Sequence, residues 1–236
     1  MTDHNKNKNN FLSVLFILAI TALLVSCTDF FSSSLASWAA RDPANLIPDV
    51  TIDNVNELIE IAQNDPDLSL ELLIKIEEAA EGASGGEKAE LQAAAVDAAA
   101  NAVGLGQTIL NSAGELAGIE DAESAKDAIL GAIDSMPNLE DACAALYELL
   151  PKDPSGEEFE NFINTATPDD IALAAILLLA GEAKKNAEDI EGYVNTFDAD
   201  SGPEAKLALN LAAALADKEE ELSETLFDIL ESLNLI

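Results

Sequence analysis

Histidine is almost missing from this chain of 236 residues: the one present is His4. Imidazole is the usual proton shuttle near neutral pH and a common zinc ligand, so everything after residue 4 lacks the material for a His-based triad, shuttle or zinc centre. Basic residues are scarce too, with 11 Lys and Arg set against 45 Asp and Glu. Such a surface repels phosphate backbones and anionic headgroups, which argues against nucleic-acid binding and against membrane attachment through a basic patch. It favours solubility and suits divalent cations, basic partners or a high-salt habitat. Neither a Walker lysine loop nor a dinucleotide glycine fingerprint is present, and Gly104 and Gly106 fall between helical patterns rather than after a strand. Carboxylates are so abundant that any two could be named an acid/base pair, and solvated helix faces explain them better. The expectation is a protein that is not an enzyme and carries no cofactor.

Aromatics make up only 5% of the chain while apolar residues reach 49%. The difference is largely alanine and leucine, which with Glu and Lys form helices, and β-branched runs are few. The expected fold is all-α, a helical-repeat-like array or bundle of about eight to ten helices. Cysteine is limited to Cys27 and Cys143. In LEDACAALYELL, Leu139, Cys143, Leu146 and Leu150 share one helical face, so Cys143 reads as a buried structural thiol.

One long apolar run stands out, FLSVLFILAITALLVSC from Phe11 to Cys27. Lys6 and Lys8 precede it against Asp3, a positive flank of the kind that keeps a signal's N-terminus in the cytoplasm. Phe11 to Val25 is at the upper end for a signal core and short of the roughly 20 residues that span a bilayer, so a cleaved leader is expected over 1–26. The run closes on Leu24, Val25, Ser26 and Cys27: an aliphatic residue, a tolerant position, a small residue, then cysteine.

That closing box resembles the lipobox of bacterial lipoproteins, over about the first 27 residues only. The resemblance implies that the Cys27 thiolate takes a diacylglycerol through a thioether, that the leader is cut before Cys27, and that the freed amine is acylated, with palmitate-type chains. Each buried methylene contributes about 0.8 kcal/mol, and two acyl signals already anchor stably. The leader holds two of the 11 basic and one of the 45 acidic residues, so the remainder carries nine against 44, a formal charge of −35. The lipid on Cys27 is then the expected attachment to the membrane, on the periplasmic face or at the cell surface.

Residues 27–50 read as a lipid-anchored linker. Within it Phe31, Leu35 and Trp38 make one stripe on a short amphipathic helix, which either lies in the membrane interface or packs on the body; the nearly missing basic face favours packing. From Thr51 onward amphipathic helices follow one another. Val55, Leu58, Ile59 and Ala62 form one face, ended by Asp65 and Pro66. Leu68, Leu72, Leu73, Ile76 and Ala80 carry the next to the break at Gly82 to Gly86, and an alanine-rich helix runs from about Glu87 to Val103. A fourth is expected around Ile109 to Ala117, and shorter ones near Ala122 to Ser135 and Leu139 to Leu150, with Pro137 and Pro151 as stops.

Lys152 to Gly156 is the expected boundary between a first helical unit at 51–150 and a second at 151–236. The second resembles the first begun again. Phe159, Phe162, Ile163 and Ala166 follow the spacing of the first helix, Pro168 opens the next as Pro66 does, and Ser201 to Glu204 echoes Ser84 to Glu87. Thr225, Leu226, Leu230 and Leu233 then match Thr108, Ile109, Ala113 and Leu116, which suggests two duplicated four-helix units, the second lengthened at Lys184 to Asp200. Ile171 to Ala180, IALAAILLLA, is apolar all round and too short to cross a bilayer, so it is the expected central core helix, with Thr167 to Asp170 capping its start.

Asp198, Asp200 and Glu204 in DADSGPE look like the start of a calcium loop. The glycine falls one place early, however, and Leu209 stands where the closing acid belongs, so a helix-capping turn is the better reading and no metal ligands are assigned. The expected function is a non-catalytic, lipid-anchored helical scaffold that binds a protein partner in the envelope. The alternative is a transport-accessory or ligand-binding lipoprotein whose small apolar residues, such as Ala93 to Ala95 and Ala212 to Ala214, leave room for an apolar molecule or lipid.

Overall fold

The structure is a computed structural model, and it describes residues 47–105, 135–186, 200–216, 218–233 and 235–236, together with 131, 193 and 196–198. Cys27, the Trp38 stripe and the helices expected at Ile109 to Ala117 and Ala122 to Ser135 lie wholly or almost wholly outside the described residues. Among the described residues there are eight α-helices and no strand, so the body is all-α. They are α1 Val55–Ala62, α2 Pro66–Glu81, α3 Gly85–Ala102, α4 Leu139–Leu149, α5 Glu157–Thr165, α6 Pro168–Asn186, α7 Pro203–Leu215 and α8 Glu224–Ser232. Residues from Ile47 to Ile236 gather into one compact unit, and helices from both sides of the Lys152 to Gly156 turn line the same core.

Two of these helix starts, those of α2 and α6, are fixed by side-chain caps. Asp65 stays extended and its carboxylate accepts the Leu68 backbone N–H at 3.1 Å, with Pro66 in the first turn of α2, where a missing N–H costs nothing. At α6 the cap is reciprocal: the Thr167 hydroxyl accepts the Asp170 N–H at 3.1 Å, and the Asp170 carboxylate accepts the Thr167 N–H at 2.9 Å. The carboxylate of Asp169 accepts the Ser223 N–H at 2.9 Å, which ties the approach to α8 to the head of α6. Acids cluster at these first turns, where the positive end of the helix dipole favours them.

The apolar run of α6 is buried throughout Ile171 to Ala183 except for a half-buried Leu173. It packs on α3, α4, α7 and α8. Fully burying one Leu or Ile contributes about 1.5–3 kcal/mol, so this run is a large share of the fold's driving force. Central packing is shared with α3, which touches α1, α2, α4, α5 and α6. Ala89, Ala94, Ala95, Ala98, Ala99 and Ala102 are buried on it, and their small volume lets five neighbouring helices approach. One polar side chain enters that packing: Gln92 is buried and its Nε2 donates to the Leu149 carbonyl at 2.9 Å, satisfying a carbonyl freed by the end of α4.

The two expected units correspond to α1 to α3 and α5 to α7. In both triplets the second and third helices pack as neighbours, while α1 lies on α2 and α3 and α5 lies on α3. Among the described residues no single helix is long and apolar enough to cross a membrane; α5 and α6 meet the length and composition test only together, bent by 118°.

Candidate functional site: a buried carboxyl pair between two helices

The last turns of α6 carry Glu182, Lys185 and Asn186 at i, i+3 and i+4, so all three reach the same neighbour. That neighbour is the start of α7, where Glu204 stands one place after Pro203. Glu182 is 3% exposed and Glu204 7% exposed, which makes both more buried than carboxylates ordinarily are without a partner. The Asn186 amide donates to a Glu182 carboxyl oxygen at 2.5 Å, and Lys185 Nζ lies 3.2 Å from Glu204 Oε1 with most of its own side chain in solvent. The two carboxyls face each other across the joint, and Oε2 of each is buried without a hydrogen-bond partner. One proton shared between them supplies that partner.

The electrostatics agree with a single retained proton. Burial first, then the hydrogen bond and negative charge of Glu204, push Glu182 from an ordinary 4.5 up to about 7. Burial also works to raise Glu204, but hydrogen bonds from Glu182, from its own backbone N–H and from Lys185 outweigh it and hold that carboxyl below its ordinary value. Two like charges this close do not both ionise at ordinary cost, so the pair titrates as a unit.

Close backbone approach seals the pair. A Cβ at Gly202 would overlap the Glu182 carboxyl, and a Cβ at Gly181 would overlap Cβ and Sγ of Cys143 on α4. Glycine at these two places lets α7's lead-in and α4 reach α6. Cys143 is buried and in no disulfide, its Sγ 3.8 Å from the Leu178 carbonyl, as its apolar helical face predicted. Burial, then the charges of Glu204 and Glu182, push its thiol up to about 12, so it stays protonated and is a poor nucleophile. Tyr193 flanks the pair, its hydroxyl 3.4 Å from the Ser201 carbonyl; burial, then Glu182, Glu204 and Asp198, push it up to about 12.

The acids considered for a calcium loop are not brought together. Asp198 and Asp200 are exposed, and the Asp198 carboxylate accepts the Asp200 N–H at 2.9 Å and pairs with the Ser201 hydroxyl at 3.1 Å, a local turn held by its own side chains; it does not cap α7, whose N-cap position is Gly202 with no side-chain cap. Glu204 turns the other way, into α6. Among the described residues no group of three or more His, Cys, Asp or Glu side chains is placed to hold a metal ion. Glu182 was not singled out by the sequence, although a signal was present: it is the one acid inside the buried stretch of the all-apolar helix.

No protein-family profile matches the chain, and no curated protein and no solved structure matches it.

Proposed function

We propose that the chain is a membrane-anchored bacterial envelope lipoprotein whose helical body is a non-catalytic scaffold for a protein partner. The observation that carries this reading is the apolar leader closing on Leu24, Val25, Ser26 and Cys27. Two features of the body support its second half. The one imidazole is His4, ahead of the box, and the Cys143 thiol is held protonated in the core, so the body offers neither an imidazole shuttle nor a reactive thiol among the described residues. The formal charge of −35 after the leader favours a partner presenting basic side chains, which would be steered toward the body from a distance.

The test is metabolic labelling with a fatty acid followed by native capture from detergent extracts with the acylated protein as bait. Label on the protein and one reproducible partner protein, weakened by salt, are expected. Absence of label overturns the anchor, and absence of any partner overturns the scaffold. A co-purifying lipid in place of a protein would favour the ligand-binding alternative.

A further inference from the structure

We propose that Glu182 and Glu204 form a proton-held latch: one shared proton fastens the start of α7 to the end of α6, and its loss releases that joint. Both carboxyls are more than nine-tenths buried, they come from two different helices, and each has an oxygen without a donor until a proton is present. Gly202 is packed so closely on Glu182 that a Cβ there would overlap the carboxyl, which leaves no open space on that side of the closed joint. Repulsion between two ionised groups is therefore relieved by parting α6 from the turn that leads into α7.

Every titratable group facing the pair bears on the outcome. From α6, Lys185 pairs with Glu204 and its charge also acts to lower Glu182; from α4, Cys143 contributes a neutral thiol; from the segment ahead of α7, Tyr193 contributes a neutral phenol and Asp198 a further negative charge. Counting the pair and Lys185 alone, the balance with the proton present is one carboxylate against one ammonium, and without it two carboxylates against one; Asp198 adds a negative charge in both states. For the sign, Glu182 is raised from 4.5 to about 7, so its contribution to stability is fully present below 4.5 and falls as pH rises through about 7. Glu204 is lowered, so its contribution is present above its ordinary value of 4.5 and is lost as pH falls through its depressed value. The joint is thus tightest in mildly acidic solution and loosens above neutrality. The proton goes to solvent and no other reactant is involved.

The experiment is hydrogen exchange on the protein as extracted from cells in detergent, corrected for intrinsic rates, read at the Lys206 amide that donates to the Gly202 carbonyl at 3.0 Å. Protection there should fall about tenfold between about pH 6 and about pH 8, since one unit beyond a group's pKa is a tenfold change in its protonated fraction. In Glu182→Gln the amide is a permanent donor to Glu204, and protection at Lys206 should be flat over the same range. Wild-type protection that does not change, or an equal fall in Glu182→Gln, overturns the latch. A second readout is the infrared difference between wild type and Glu182→Gln, which cancels the signal of Asp97, itself raised to about 6 by burial and then by Asp170: a protonated-carboxyl band present at about pH 6 and gone by about pH 8 is expected, and no such difference band at about pH 6 overturns the proposal.

Discussion

Gly181 and Cys143 show how little slack there is between α6 and α4. A methyl group added at Gly181 has no free volume, because Cβ and Sγ of Cys143 already fill it. Overpacking of this kind costs about 1–3 kcal/mol, so Gly181→Ala should lower the unfolding free energy by that amount, read as a lower urea midpoint at an unchanged slope. The same burial makes a chemical prediction for the thiol. Raised to about 12, Cys143 should be inert to thiol reagents at about pH 8 in the folded protein and react fully once denatured. Rapid labelling of the native protein would show that the α4 to α6 contact opens in solution. Cys143 was legible in the sequence because its neighbours at helical spacing are leucines. The Glu182 and Glu204 pair was not: the two acids stand among 45, and nothing local says that a chain reversal brings them together.

At the scale of elements, α6 and α3 divide the work of the core by different means. α6 was readable as the buried helix because an unbroken apolar run leaves no face for water. α3 was readable only as a helix. Alanine is indifferent to exposure in a sequence pattern, and it is tertiary packing that reveals those alanines as the floor on which five helices rest. The caps were legible too, since Pro66 and Pro168 each follow a residue able to accept a first-turn N–H. The reciprocal cap of α6 predicts that Thr167→Ala destabilises the protein by about 1 kcal/mol in chemical denaturation. Leu178→Ala, at a fully buried site of the same helix, should cost about 2–5 kcal/mol. If the cap variant proved as costly as the core variant, α6 would owe its position to its first turn rather than to its apolar run.

Across the whole molecule, the charge imbalance sets how the body behaves. Several described lysines are already committed: Lys75 to Glu78, Lys88 to Glu158, Lys152 to Glu148 and Lys185 to Glu204. The remaining acids repel one another, and salt screens such repulsion over a Debye length of about 10 Å at 0.1 M. The melting temperature should therefore rise with added sodium chloride at fixed pH, and a melting temperature independent of salt would mean that the acids are too dispersed to oppose the fold. None of this self-repelling surface favours an anionic membrane, which leaves attachment to Cys27 in the reading proposed above. The direct measurement is the intact mass and N-terminal peptide of the protein extracted from membranes by detergent. A chain beginning at Cys27, with a diacylglycerol on its sulfur, is the predicted result; a chain that begins elsewhere, or an unmodified Cys27 thiol, would contradict it.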